Sequence, residues 1–143
     1  MDGKPVQLID AASIFVLETR LKAAGIDPSP LWLQPENWSG FGAHLDSWIT
    51  ETARQLAHAV VASCSLIDFP AVIVDGGFPP EVRIRLVEAI QREVMQLDLK
   101  GIAAPVIVEG EVGPNARAIG GACLPLFDRY MLDQRSMAPS MVG

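Results

Sequence analysis

The residues best placed for chemistry lie in the stretch VIVDGGFPPEVRIRLVEAI, from Val72 to Ile90. An apolar run leads into the turn Asp75-Gly76-Gly77, and two prolines and a helical pattern follow. In open α/β sheets, ligands bind at the carboxyl ends of such strands, and paired glycines let a base or sugar approach the backbone. A plain strand-to-helix turn explains the same residues about as well. Neither G-x-G-x-x-G nor G-x-x-x-x-G-K-[ST] occurs, so the usual phosphate-binding loops are missing.

A second junction of the same type, Gly113-Pro114-Asn115-Ala116, follows the apolar run at 105–108. Asn115 lies near a predicted helix N-terminus and could donate a hydrogen bond to a ligand. An asparagine in this position more often caps a helix or a turn. We therefore keep Asn115 as a candidate ligand contact, with capping as the favoured interpretation.

Other reactive residue types lack the spacing that chemistry needs. His44 and His58 are fourteen residues apart on one predicted helix, or about 21 Å, so they cannot share a metal. Asp68 and Asp75 flank a strand and are too far apart for a general acid–base pair. Ser63 stands outside any G-x-S-x-G motif. The sequence therefore predicts no catalytic residue and no metal site.

Composition excludes some partners and favours one compartment. The 143 residues carry 11 basic and 17 acidic side chains and a net charge of −6, with no basic patch. This argues against nucleic-acid binding by this chain. Two cysteines without a C-x-x-C motif favour a reduced, cytoplasmic protein. No signal peptide or membrane-spanning run is visible.

Hydrophobic periodicity predicts an α/β fold in the order α-α-β-α-β-α with a small parallel sheet. The first helix covers 11–24, with Asp10 as N-cap and Gly25 after its end. A proline-rich loop without helix follows to Gly40. The remaining predicted elements are a helix at 42–65 whose C-terminal half is the more buried, a strand at 71–74, a helix from Pro79 or Pro80, a strand at 105–108, and a helix from Pro114 with Ala116, Ile119, Gly120 and Cys123 inward.

The two predicted strands are apolar without alternation, which is typical of strands covered on both faces. Two short strands make a poor sheet, because sheets usually have about four or more. Their free edges would invite pairing. The chain therefore either dimerises through its edges or is part of a longer sheet, and the second interpretation is favoured.

Two segments together, SLIDFPAVIVDGGFPPEV and PVIVEGEVGPNARAIGGACLPLF, resemble the C-terminal part of the ROK family of repressors, open reading frames and sugar kinases. The first has the family's aspartate–x–proline step, apolar strand and glycine-rich turn. The second has its Gly-x-x-Ala and Gly-Ala steps. The matching residues, within a resemblance that spans about 11–130, are Asp68, Pro70, 71–74, Gly76, Gly77, Gly113, Ala116, Gly120 and Ala122.

The resemblance implies a partial actin-like, ribonuclease-H-like lobe. The family's phosphate loop, catalytic aspartate region, Glu-x-Gly-His motif, zinc motif and helix-turn-helix are absent from these residues. In family kinases the turn matching Gly76-Gly77 lies beside adenosine. Here Phe78-Pro79-Pro80 follows that turn, where a third glycine and a small polar residue are common. Phe78 would either fill the nucleotide pocket or stack on adenine. Filling it favours the regulator branch.

We therefore expect the effector-domain lobe of a sugar-responsive ROK-like transcriptional regulator, providing packing and subunit contacts without enzymatic activity. The alternatives are the C-terminal lobe of an ATP-dependent sugar kinase and a small α/β protein that dimerises. The candidate cofactor-binding residues are Gly76, Gly77, Phe78 and Asn115. No cofactor is expected in this piece, and ATP only in the kinase alternative. Expected partners are another copy or a missing N-terminal lobe, with the sugar bound only by a longer protein. The expected divisions are an N-terminal segment at 1–10, the lobe at 11–130 and a tail at 131–143.

Overall fold

A computed structural model describes residues 7–115 and 118–124 of the chain. The fold is mixed α/β, mostly helical, with a two-stranded parallel sheet. The helices are α1 (Leu8–Ala11), α2 (Ile14–Ala23), α3 (Pro30–Leu33), α4 (Gly42–Cys64) and α5 (Pro80–Val94), and the strands are β1 (Ala71–Val74) and β2 (Val106–Glu109). Single 3₁₀ turns occur at Ser39–Phe41 and Gly113–Asn115, and residues 118–124 are helical.

The sheet pairs β1 with β2 in parallel, with Ala71 opposite Val106 and Val74 opposite Glu109. Helix α5 connects the two strands and packs on β2, and α4 packs along α5. This β-α-β unit is the one predicted from the two apolar runs. It brings the carboxyl ends of both strands to the same edge of the sheet, where the two candidate turns lie.

The core forms between α4, α5 and the helix α2. Leu17 and Leu21 of α2, four residues apart on one face of the helix, are fully buried. The apolar stripe of α5 is also buried at all five of its positions: Val82, Leu86, Val87, Ile90 and Val94. Cys64 is buried and free, as a small core hydrophobe. None of the helices in the described part of the chain is long and apolar enough to cross a membrane.

Three helix predictions for the N-terminal half are wrong. The segment 11–24 is not one helix: α1 ends at Ala11 and α2 begins at Ile14, so Ser13, and not Asp10, is the residue before α2. The proline-rich segment does contain a helical turn, α3, because Pro30 occupies the first turn, where proline is tolerated. The C-terminal half of α4 is the less buried one, and Ala62 and Ser63 are exposed.

The sheet is covered on one face only, contrary to the expectation for both strands. Val72 and Ile107, which pair, turn toward the helices, and Ile107 is 5% exposed. The neighbouring pair, Ile73 and Val108, turns to the other face, where Ile73 is 69% exposed. No element of the described chain covers that face. Both strands thus have the apolar composition of strands covered on both faces, but half of their side chains point to the uncovered face.

The C-terminal predictions are met only in part. The turn at Pro114 is a 3₁₀ turn, and in the helix at 118–124 Ile119 and Gly120 are exposed while Cys123 is half-buried. Of the inward face that the sequence predicted there, only Cys123 is partly buried among the described residues. Ala116, the segment 1–6 and the predicted tail at 131–143 lie outside the described residues.

Candidate functional site at the strand-end turns

The carboxylate of Asp75 joins the two strand-end turns. Its oxygens accept hydrogen bonds from the backbone N–H of Gly76 at 2.8 Å, of Val112 at 3.0 Å and of Gly113 at 3.0 Å. Val112 and Gly113 follow β2, whereas Asp75 follows β1. One side chain therefore ties together two loops that are nearly forty residues apart in sequence.

These hydrogen bonds determine the charge state of Asp75. The N–H of Gly113, and then those of Gly76 and Val112, lower the pKa of the Asp75 carboxyl below its usual value because each donates to the ionised form. The nearby guanidinium of Arg83 lowers the same pKa further. Asp75 is therefore a stably ionised acceptor, and a general acid or base that must exchange its proton near neutral pH needs the opposite shift.

Arg83 completes the junction from helix α5. Its Nη1 lies 3.4 Å from Asp75, and its Nε lies 3.6 Å from Glu109, the last residue of β2. The Arg83 side chain is 12% exposed. The guanidinium thus lies between the two strand ends and neutralises the acids that each provides.

Gly110 allows this close approach. A Cβ atom placed on Gly110 would lie 2.4 Å from the Cβ of Asp75 and 2.5 Å from its carboxyl carbon. The Gly110 N–H also donates to Val74 O at 2.8 Å, as the last bond of the ladder. Any side chain on Gly110 would push Asp75 away from its backbone donors. Gly113, which donates twice to Asp75, adopts φ 57°, a conformation that suits glycine.

Phe78 faces the core. Its ring is 7% exposed, with centroids 6.2 Å from Trp38 and 6.5 Å from Trp48 in tilted and edge-to-face arrangements. Trp38 and Trp48 also contact each other, and Trp38 contacts Phe41. We call these four residues, Trp38, Phe41, Trp48 and Phe78, the aromatic cluster. Phe78 is therefore packed mainly against other aromatic rings, and its small exposed fraction leaves little surface for stacking on an adenine.

The remaining candidates lie at the surface of the turns. Gly76 leaves no room for a side chain, because its Cβ would lie 2.2 Å from the Phe78 ring. Gly77 has open space around it, and Asn115 is exposed at the end of the 3₁₀ turn. Because Asp75 joins the turns, Gly76, Gly77 and Asn115 belong to one edge of the sheet. Phe78 differs from them because its side chain turns into the core behind Gly76.

Sequence reasoning missed the structural role of Asp75 and both of its supports, Arg83 and Gly110. The signal for Asp75 was its place directly after a strand, beside a second strand end rich in glycine. No spacing rule points to Arg83, eight residues further on. Within the described residues no group of three or more His, Cys, Asp or Glu side chains could hold a metal ion.

Comparison with known proteins gives one informative relative. The chain is 31% identical over 83 residues, 58% of its length, to a protein of Sinorhizobium fredii (strain NBRC 101917 / NGR234) named uncharacterized protein y4fQ. The chain spans about a fifth of that relative's length. No family model matches the chain. No solved structure matches it either.

Proposed function

We propose that this chain is the effector-domain lobe of a sugar-responsive transcriptional regulator of the ROK type, with an actin-like fold. In this role it provides packing and subunit contacts, and other parts of a longer protein read DNA and sugar. It carries out no catalysis, works in the cytoplasm, and has no cofactor of its own.

The position of Phe78 is the observation that carries the choice of the regulator branch. In kinases of the ROK family the turn that matches Gly76-Gly77 borders adenosine. In this chain Phe78 fills the space behind that turn, and its ring packs against Trp38 and Trp48. Asp75 is likewise engaged by three backbone N–H groups. A turn whose side chains are all used internally supports a structural role better than a catalytic one.

The size of the chain relative to its match is consistent with a lobe of something larger. A segment that spans about a fifth of a relative belongs, in that relative, to a much longer polypeptide. An apolar sheet face with Ile73 69% exposed needs a cover that the described residues lack. Both observations suit a lobe whose neighbours come from elsewhere.

The second candidate is the corresponding lobe of an ATP-dependent sugar kinase. The open space at Gly77 and the exposed Asn115 favour it, because they lie together at the strand ends, where α/β proteins bind ligands. In this alternative Gly76, Gly77 and Asn115 border adenosine, and Phe78 supports the turn from behind.

The deciding experiment is to sequence the gene on both sides of this coding segment and to assay the longest protein that it encodes. A helix-turn-helix together with sugar-dependent binding to its own promoter is the expected result. Sugar-dependent formation of ADP by that product would overturn the regulator proposal and favour the kinase. Titration of Mg·ATP into the 143-residue chain, followed at the amides of Gly76, Gly77 and Asn115, is expected to leave all three unshifted.

A further inference from the structure

A groove runs along the edge of β1 that faces away from β2. Two adjoining cavities of about 280 and 320 Å³ form it, and they share Leu56 and Val60 of α4 and Val72 of β1. Their walls include all four residues of β1 and none of β2. The groove is therefore bounded by α4 on one side and by the free edge of the sheet on the other.

The backbone of β1 presents hydrogen-bonding groups to this groove. Val106 N–H donates to Pro70 O at 3.1 Å and Gly110 N–H donates to Val74 O at 2.8 Å. Alternate residues of a parallel strand point their backbone groups to opposite sides. Ala71 and Ile73 therefore point their N–H and C=O groups away from β2 and toward the groove. Such an edge is a template for another strand.

The helix wall of the groove contains a polar atom without a partner. Thr52 is 2% exposed, lines the smaller of the two cavities, and has no hydrogen bond to its Oγ1 within the described structure. The residues around it are apolar, among them Trp48, Leu56 and Ile90. A buried hydroxyl in such surroundings is costly unless something bonds to it. A backbone or hydroxyl group entering the groove would supply the missing bond.

The geometry points to a specific occupant: an extended, uncharged apolar segment of the same full-length polypeptide, which adds a third strand beside β1 under α4. β1 is about 13 Å long at ~3.3 Å per residue, and it offers two residues' worth of backbone donors and acceptors. This inference rests on the proposal that the chain is one lobe of a longer protein, and the short share of the relative that it spans is consistent with such a source.

A second copy of the chain fits the groove poorly. If two β1 strands paired antiparallel, both α4 helices would lie on the same side of the joint sheet. The two α4 helices would then compete for the same space over the joined β1 edges, because in each copy α4 forms the wall of the groove beside β1. A strand without its own helix on that face avoids this conflict.

The test supplies such a strand by a tether. A Val/Ile/Thr segment of about seven residues is fused ahead of Met1 through a flexible Gly/Ser linker of about 15 residues, which keeps its effective concentration near millimolar. The matched control carries proline at alternate positions of the segment. Amide hydrogen exchange is followed by NMR at Ala71 and Ile73, with Ile107 reporting the far edge of β2.

We expect exchange at Ala71 and Ile73 to slow by roughly tenfold or more with the strand, relative to the proline control, and Ile107 to be unchanged. Ile73→Pro, which removes one groove-facing N–H, should abolish the protection of Ala71, whereas Ile73→Ala should retain it. Equal exchange in both fusions, or protection at Ile107 alone, would overturn the inference. Protection of the unfused chain that rises with its concentration would identify a second copy instead. No nucleotide, sugar or DNA enters this test, so its failure is distinct from failure of the regulator proposal.

Discussion

Two edges of this small sheet differ in how far their groups are satisfied: the edge at the carboxyl ends of both strands, and the free side of β1. At the carboxyl ends of the strands, Asp75, Arg83 and Gly110 engage one another and the aromatic cluster fills the space behind the turn. Along the side of β1, backbone groups, a buried hydroxyl and an apolar face lack partners in the described chain. At the end that resembles a ligand site, the side chains of Asp75 and Phe78 are engaged by other residues of the chain. Along the free side of β1, the backbone groups and the Thr52 hydroxyl are not engaged by the described residues.

This difference changes where function is to be sought. A working nucleotide site keeps polar groups free for the ligand, as binding pockets generally do. In the strand-end turns the carboxylate of Asp75 is already engaged by three backbone N–H groups. The free edge has the opposite character, because it is apolar and offers main-chain bonds, which is how sheets recruit strands. This contrast is the reason why we propose a polypeptide strand at the free edge of β1 and no nucleotide at the strand-end turns.

The largest effect is expected from opening the closed end at Phe78. Phe78→Ala leaves a cavity between Trp38 and Trp48, and such truncations cost about 3–5 kcal/mol of unfolding free energy. Denaturant unfolding of the purified chain measures it. Phe15→Ala is the matched control, since Phe15 is 67% exposed, and its change should stay within about 0.5 kcal/mol. Equal losses in both variants would show that Phe78 is not a core residue.

The next effect tests the close approach of the two turns. Gly110→Ala places a Cβ 2.4 Å from Asp75, and the resulting overpacking should cost about 1–3 kcal/mol. Gly77→Ala is the control, because nothing lies within 4 Å of the added atom, and its change should be below about 0.5 kcal/mol. Denaturant midpoints compare the two directly. A neutral Gly110→Ala would mean that the turns move apart freely.

A smaller effect should appear in acid. Because the folded-state pKa of Asp75 lies below its ordinary value of 3.8, its ionised form adds stability that is fully present above that pH. This stability is lost as the pH falls through the lower folded-state pKa. Asp75→Asn should therefore lower the melting temperature at pH 7 and flatten its decline below about pH 4.

The control for this acid-limb experiment is Asp68→Asn, which removes one exposed carboxylate just before β1 and makes the same change in net charge. Melting temperatures measured from pH 7 down to about pH 2.5 cover the range in which the Asp75 contribution is lost. Parallel curves for wild type and Asp75→Asn would contradict the role assigned to the carboxylate.

The parts of the fold that the sequence could predict are those governed by local pattern. The sequence predicts β1 residue for residue, α4 to within a residue and the first turn of α5, because long apolar stripes and a proline at the first turn are strong local signals. The break between α1 and α2 was missed because residues 11–14 carry no glycine or proline. The helical turn at Pro30 departs from the sequence prediction because proline, which interrupts the interior of a helix, can also begin one.

The candidate site was harder to predict because its roles depend on three-dimensional neighbours. The sequence located the turns, and Gly76, Gly77 and Asn115 do lie at one sheet edge. It could not show that the ring of Phe78 turns toward Trp38, some forty residues earlier, or that Asp75 bonds to Gly113. It did predict a small parallel sheet, and the open face of that sheet bears directly on the last prediction.

The smallest effect on stability, and the clearest on assembly, is expected on the open face. Ile73 and Val106 are 69% and 56% exposed, so Ile73→Thr with Val106→Thr should change unfolding free energy by no more than about 0.5 kcal/mol each. The purified wild-type chain should self-associate at micromolar concentration, because uncovered apolar faces drive association, and the double variant should shift toward monomer. Sedimentation velocity over a concentration series measures both. Val87→Thr, on the buried side of α5, is the contrasting variant and should lose stability without gaining solubility. A wild-type chain that remains monomeric throughout would contradict this prediction and show that the open face is tolerated in water.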